Sequence, residues 1–191
     1  MKTKLKMSMA ALLMLAPAGL ALAAEPTAFS LIKAGDKYVG EQSKDKVVQI
    51  RSEKSVGTMT PNIWYVVYYD PDATLKAVEV KFGAGQKMDV SRPLRLLEPI
   101  TGADKVLDSS KLKVDSDKAL DIARSQPLLK ALTLTAAQFW LEHSEDGPRW
   151  KIQLWAAKLN HPGDQADVGA IYLSTADGSV LRNDLHPNSA N

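Results

Sequence analysis

The 191-residue chain contains no cysteine and only three histidines. Without cysteine the protein has neither disulfides nor a thiol nucleophile, so burial of apolar surface must stabilise it. His143, His161 and His186 occur in unrelated contexts, without a Gly-x-Ser-x-Gly elbow or the His-x-x-x-His and Glu-x-x-His spacings of zinc sites. We therefore expect a protein that is not an enzyme and has no cofactor. Paired carboxylates of the glycosidase kind remain open, because any two can converge in a fold.

After residue 24 the chain also lacks long apolar runs, low-complexity tracts and blocks of like charge. Before that point, three lysines precede an apolar run from Met7 to Leu22 and a small-residue site, Ala21-Leu22-Ala23. This order is typical of a secretory signal peptide, and a proline and a glycine interrupt the run before it reaches the ~20 residues of a membrane-spanning helix. We predict that residues 1–23 are cleaved, with cleavage after Ala24 as the alternative, and that the protein is periplasmic or secreted.

A strong net charge is absent as well. The 24 basic and 22 acidic residues leave +2, and without the three lysines of the signal segment the balance is −1. Nucleic acids and anionic membranes attract strongly basic surfaces. We therefore expect neither nucleic acid nor stable membrane insertion, and look for another exported protein or a second copy of the chain as the partner.

The second half of the chain is predicted to be a helix followed by strands. Asp115 or Ser116 can cap a helix that places Ala119, Ile122 and Ala123 on one apolar stripe. Strand-like runs follow at residues 134–143, 150–157 and 167–175, and the last run closes on an Asp177-Gly178 turn.

The first two of these runs flank Asp146-Gly147, which is a strong two-residue hairpin signal. With that pair as the loop, Phe139 faces Leu154 and Glu142 meets Lys151 across the ladder. The same register makes two tryptophans diagonal neighbours on the polar face. The residues predicted to share this face are Gln138, Trp140, Glu142, Lys151, Gln153 and Trp155. Either this is an exposed binding face, or another part of the protein covers it.

A weaker copy of the same pattern precedes this unit. Residues 26–41 can form a helix, and β-forming runs follow at 46–53, 62–70 and 75–82. Placing Pro61 against Pro148 aligns Tyr68 with Trp155 and predicts that Trp64 and Tyr68 share the face of Trp140. The predicted organisation is therefore a first unit over 24–87, a connection over 88–114, a second unit over 115–185 and a flexible tail over 186–191.

The segments Leu112 to Ala123, Gly147 to Ile152 and Ile171 to Leu181 together resemble a PepSY-type domain, over about 70 residues. The shared features are a capped helix with an Ala-x-x-Ile-Ala-like core, a central strand after a Gly-x-x-aromatic turn, and a last strand that closes on a turn containing Asp and Gly. The resemblance implies an α+β fold in which two α-β-β-β units form an antiparallel sheet with helices on one face. In this architecture the chain is also similar to beta-lactamase inhibitory proteins.

The family resemblance implies a protein that restrains or assists exported enzymes, especially peptidases. The residues expected to bind the partner are Trp64, Tyr68, Trp140 and Trp155, with Glu142 and Lys151 as a polar rim. Two alternatives stay open: a small-ligand or metal site in the cleft between the units, and a structural protein that dimerises through the aromatic face. A cation near Asp164 and Asp167 is a further possibility, because Asn160 lies close in sequence.

Overall fold

The computed structural model describes residues 26–94, 100 and 102–190, so the proposed signal peptide, residues 1–23, lies outside the described residues. Within them, none of the helices has the length and hydropathy needed to cross a membrane. The first half contains α1 (Ala28–Gly35), β1 (Val47–Ser52), β2 (Ile63–Tyr69), β3 (Ala77–Gly83) and β4 (Gln86–Ser91). The second half contains α2 (Ser116–Arg124), β5 (Leu134–Ser144), β6 (Gly147–Ala157), β7 (Gln165–Ser174) and β8 (Val180–Leu185).

All eight strands form one antiparallel sheet in the order β4-β3-β2-β1-β5-β6-β7-β8. The halves join at the centre, where Ile50 of β1 lies opposite Leu141 of β5. This arrangement confirms the α+β prediction and is consistent with two α-β repeat units. Each half has a fourth strand that the sequence patterns did not predict. The first of these, β4, begins within the predicted first unit and continues into the predicted connection, and β8 follows the Asp177-Gly178 turn.

The two helices pack on one face of the sheet, and the aromatic side chains there form the centre of the core. Phe29 of α1 stacks on Trp150 with 6.0 Å between ring centroids. Phe139 packs between Trp64 at 5.6 Å and Trp150 at 5.9 Å. Because these rings come from both halves, burial of their apolar surface stabilises the two units together.

Tyr68 and Gly35 set the distance between α1 and the sheet. The Tyr68 hydroxyl donates to the carbonyl of Ile32 at 2.8 Å, and burial, aided by the nearby charges of Asp36 and Asp45, raises the pKa of Tyr68 far above its usual range. A Cβ at Gly35 would collide with the Tyr68 hydroxyl, so a residue with a side chain could not approach the sheet this closely. The α-helix ends at Gly35, short of the predicted range 26–41, and continues as a short 3₁₀ turn.

The prediction that Trp64 and Tyr68 share the face of Trp140 is wrong. Both are fully buried, at 1% and 0% exposure, on the face that the helices cover. Ile50 of β1 and Leu141 of β5 lie opposite each other at the centre of the sheet. Val66 of β2 lies opposite Ile50 and Trp150 of β6 lies opposite Leu141, so Val66 and Trp150 occupy corresponding positions in the two halves. The alignment of Pro61 with Pro148 differs from this correspondence by three residues. An odd displacement exchanges the two faces of a strand, so the proline alignment turned the aromatic side chains of β2 to the wrong side.

The predicted register of the β5–β6 hairpin is also wrong. The two-residue loop begins one residue earlier than predicted, so the partner of Phe139 on β6 moves by two residues. Ser144 pairs with Gly147, so the loop is Glu145-Asp146 and the first strand residue after it is Gly147, at φ +117°. Glycine adopts this positive φ most easily, so Gly147 takes the first strand position and Asp146 is the last residue of the loop. Phe139 consequently lies opposite Ile152 rather than Leu154, although both partners remain on the core face.

Residues 186–190, predicted to be a flexible tail, dock against the sheet. Pro187–Ala190 form a 3₁₀ turn whose Ala190 is completely buried, and the Ala190 carbonyl accepts a hydrogen bond from the Leu159 N–H at 2.8 Å. The composition of this segment predicted a loose end because it contains little apolar surface. The buried Ala190 side chain and this backbone hydrogen bond hold the segment against the sheet, where it contacts β7.

Candidate functional site

The sheet face opposite the helices carries several partly exposed aromatic side chains. In the part of the chain that the structure describes, this face is covered at one end, where Ile100 packs against Val48, Val67 and Ala77. Trp140 and Trp155 lie outside that cluster and are partly exposed. We call this surface the open face.

One line of side chains crosses the open face at right angles to the strands. The register places seven residues from seven strands side by side, and we call them the transverse row: Lys81, Tyr65, Arg51, Trp140, Lys151, Tyr172 and Arg182. Basic and aromatic residues alternate along it. Neighbouring strands lie about 4.8 Å apart, so the rings recur at intervals of roughly 10 Å.

Contacts between cations and rings hold the row together. The Arg51 guanidinium lies 3.9 Å from the centroid of the Tyr65 ring, and the Lys81 ammonium lies 5.1 Å from the same centroid. The Lys151 ammonium is 5.0 Å from the Trp140 ring. Cation–π contacts at this distance are favourable by about 0.5–1 kcal/mol at exposed sites. They also restrict the long basic side chains to the plane of the face.

Four of the carboxylates around the row are bound within the chain. Glu79 pairs with Arg51 at 2.8 Å, and Glu142 pairs with Arg149 at 2.9 Å. Glu53 accepts a hydrogen bond from the Tyr65 hydroxyl at 2.6 Å, which lowers the pKa of its carboxyl, and pairs with Lys81 at 3.4 Å. Asp184 pairs with Arg182, and Asp89 of β4 lies opposite Lys81 at the far end of the row.

A third lysine reaches the open face from the β1–β2 loop. At the end of β1, hydrogen bonds to two serine side chains take over from the backbone hydrogen bonds between β1 and β5. The N–H groups of Phe139 and Ala137 donate to the hydroxyls of Ser52 and Ser55, each at 2.9 Å. These bonds hold the chain close to β5 while it turns away from β1. Lys54 lies between the two serines, and its ammonium sits 4.4 Å from the centroid of the Trp155 ring.

Four of the predicted site residues lie on the open face: Trp140, Trp155, Glu142 and Lys151. The observed register places Trp140 opposite Lys151, which is four residues from Trp155 along β6. The pair Gln138 and Gln153 lies between the two tryptophans. They are therefore not diagonal neighbours. Glu142 pairs with Arg149 and not with Lys151 as predicted.

Sequence reasoning missed Tyr65, Arg51, Lys54 and Tyr172. The alternation of β2 contained the signal for Tyr65, because it follows Trp64 and must point to the opposite face. Lys54 offered no such signal, since it lies in a loop whose path depends on the bonds of Ser52 and Ser55 to another strand.

A small cavity lies on the helix side of the sheet, between the N-termini of α1 and α2. It encloses about 200 Å³ and is lined mainly by apolar groups, including Pro26, Trp64, Leu120 and Phe139, with Ser116 at its edge. Ligand pockets usually enclose 300–1,000 Å³. Residues of both units line this cavity, as the cleft alternative requires.

Among the described residues there is no group of three His, Cys, Asp or Glu side chains arranged to hold a metal ion. Asp167, one of the carboxylates considered for a cation, accepts hydrogen bonds from the Gln153 side chain and the Gly169 N–H. The open face is therefore the strongest candidate site that the described residues offer.

Comparisons with known proteins find no matching family model, no matching curated protein and no matching solved structure.

Proposed function

We propose that the protein is an exported, non-enzymatic binding protein that holds another protein against its open face. The transverse row is the observation that carries this proposal. Tyr, Trp and Arg are the residue types that dominate the energetics of protein interfaces, and the row presents all three at its centre. The ion pairs and ring contacts fix these side chains before a partner arrives, which reduces the entropy lost on binding.

The address and the class of partner rest on the sequence. The signal-like N-terminus supports export to the periplasm or the exterior. The resemblance to PepSY-type domains and, in architecture, to beta-lactamase inhibitory proteins supports an exported enzyme, such as a peptidase, as the partner whose activity is restrained. An open sheet face used as the contact surface fits that comparison, which is an analogy of fold.

Affinity capture of envelope proteins tests the proposal. We expect residues 24–191 to enrich one protein, and the Trp140→Ala/Trp155→Ala variant to lose it, because both rings are removed from the face while the buried Trp64 and Trp150 are kept. The captured protein is then purified and its Kd measured against both forms; the double variant should bind at least tenfold more weakly.

A matched control removes apolar surface elsewhere. Leu128 and Leu159 are about half exposed and lie outside the open face, so Leu128→Ala/Leu159→Ala should capture as the wild type does. Equal capture by the tryptophan variant, with its fold intact by circular dichroism, would contradict the proposal. Loss of binding together with concentration-dependent dissociation of a wild-type dimer would instead assign the face to self-association.

A further inference from the structure

Around Trp140 and Trp155, the acidic side chains have partners within the chain, whereas two lysines have no carboxylate partner among the described residues. The carboxylates that adjoin these rings in the register already have partners in the chain: Glu142 pairs with Arg149, and Asp167 accepts a hydrogen bond from the Gln153 side chain. Lys54 and Lys151 differ from every other cation on this part of the face. Each lies over a tryptophan ring, and among the described residues neither has a carboxylate within ion-pair distance.

A ring covers only one side of an ammonium group, so both lysines keep N–H donors for another partner. The ring contact also limits how far each ammonium can move. A carboxylate that arrives at such a site loses less conformational freedom on binding than it would at a free surface lysine. We call this surface the tryptophan–lysine patch; its members are Trp140, Lys151, Gln138, Gln153, Trp155 and Lys54.

The dimensions of the patch define the ligand further. Trp140 and Trp155 are separated by four residues along β6 in the observed register, which corresponds to about 13 Å along the strand. The two lysines therefore stand at opposite ends of the patch, with the amides of Gln138 and Gln153 between them. Carboxylates that reach both lysines must be separated by a similar distance, as they are at every fourth residue of an extended chain.

A uniform polyanion fits this surface less well than a polypeptide. Double-stranded DNA carries one charge per ~1.7 Å, and such a ligand would also lie against Glu142 and Asp167, which border the patch. A polypeptide with widely spaced acids can place its uncharged residues there. Charge complementarity thus favours a sparse acidic segment.

We propose that the tryptophan–lysine patch binds an acidic segment of the partner protein, with carboxylates about 13 Å apart taken by Lys54 and Lys151 and the residues between them lying across the two glutamines. This inference rests on the proposed function, and it adds the chemistry of the partner: the contacted segment carries spaced Asp or Glu side chains rather than a basic or purely apolar surface.

A purified peptide probe tests the inference without the natural partner. The probe is (Glu-Ser-Gly-Ser)₄, whose carboxylates recur every fourth residue, and its counterpart has Gln in place of Glu. Binding is followed by the fluorescence of the partly exposed tryptophans at low salt. We expect the Glu peptide to bind and the Gln peptide to bind at least threefold more weakly, and added salt to reduce the difference.

Variants identify the lysines. Lys54→Gln/Lys151→Gln should weaken binding of the Glu peptide about three- to tenfold, because two exposed ion pairs are lost. Lys118→Gln/Lys130→Gln removes the same charge from exposed positions on and just after α2 and should leave binding unchanged. Equal binding of the Glu and Gln peptides, or equal binding by the two lysine variants, would overturn the inference. Dextran sulfate or oligothymidylate that displaces the Glu peptide at lower concentration would also overturn it, in favour of a general polyanion site.

The inference and the proposed function can fail separately. If the captured protein binds the Lys54→Gln/Lys151→Gln variant as tightly as the wild type but is lost from the Trp140→Ala/Trp155→Ala variant, the open face remains the binding surface and the acidic segment is wrong. If the Glu peptide binds through the lysines while no envelope protein is captured, the patch remains and the proposed partner class fails.

Discussion

Two tryptophans on neighbouring strands illustrate how little residue type alone determines a role. Trp150 is fully buried, and its indole N–H donates to the Val114 carbonyl at 2.8 Å between two further aromatic rings. Trp140, on the next strand, points to the opposite face and is partly exposed beneath Lys151. The position of each residue in the strand alternation makes one a core residue and the other a surface residue.

Asp70 is a buried carboxylate at the turn between β2 and β3. Burial alone raises the pKa of Asp70. The N–H of Asp72 at 3.0 Å and the Arg92 guanidinium at 3.1 Å outweigh that effect and hold the pKa below its usual range. The folded state therefore favours the ionised carboxyl.

A lowered pKa of this kind stabilises the fold above about pH 4, and the contribution disappears as the pH falls through the lowered value. We expect Asp70→Asn to reduce the urea midpoint at pH 7 and to differ less from the wild type at pH 3. Asp121→Asn, which removes an exposed carboxylate from α2, is the control and should change neither midpoint appreciably. A difference between Asp70→Asn and the wild type that is as large at pH 3 as at pH 7 would show that the charge is not the cause.

At the level of elements, the two helices share one set of caps. Thr27 makes no side-chain cap for α1. The N–H groups of Ala28 and Phe29 donate instead to the Ser116 hydroxyl and the Asp115 carboxylate, each at 3.0 Å, and Asp115 also caps its own helix. Unsatisfied N–H groups at a helix start are costly when buried, so α1 depends on the second half of the chain for its first turn.

Removing one of these caps should loosen α1 more than the sheet. We expect Ser116→Ala to cost about 1–2 kcal/mol of stability and to increase hydrogen exchange over residues 28–35. Ser125→Ala removes an exposed hydroxyl that donates to the Ile122 carbonyl and serves as the matched control, with a smaller effect confined to the end of α2. Uniformly faster exchange throughout the protein in Ser116→Ala would contradict a local role for the cap.

The elements themselves were largely predictable, because apolar periodicity and caps are local. The sequence patterns located α2 and six of the eight strands near their observed positions. The strands β4 and β8 escaped prediction for a physical reason: as edge strands they have few buried side chains, and every residue of β4 except Ser91 is exposed. An edge strand is specified by its neighbour's hydrogen bonds more than by its own composition.

The candidate site was less predictable than the fold, because it depends on register. A displacement of one residue in the hairpin loop changed every cross-strand pair, including those of Glu142 and Lys151. The repeat alignment was displaced by an odd number of residues, so it predicted Trp64 and Tyr68 on the surface although both are in the core. Turn geometry and pairing across the sheet decide both, and neither is encoded in the residues of a single strand.

For the whole molecule, the central β1–β5 pair makes the two repeat units one folding unit. Phe139 contacts buried tryptophans of both halves, and the caps of α1 come from the second half. Neither unit keeps a complete core or a complete set of helix caps by itself. Cooperative unfolding is the physical consequence.

We therefore expect a single unfolding transition. In a Trp140→Phe/Trp155→Phe background, the remaining fluorescence comes from Trp64 in the first half and Trp150 in the second, while far-UV circular dichroism reports all elements. The two signals should give the same urea midpoint and slope. Two separated transitions, or a fluorescence change that precedes the loss of secondary structure, would mean that the halves unfold independently.

The transverse row takes one side chain from each of seven strands, and neighbours in the row are often far apart in sequence. A surface of this kind cannot be excised as a linear peptide, because only the register of the intact sheet makes its members adjacent. Once proteolysis or unfolding removes a central strand, the row is divided and its alternation is lost. Under the proposed function, degraded copies of the protein would therefore not compete with intact copies for a partner, and turnover of the chain would leave no competing fragments.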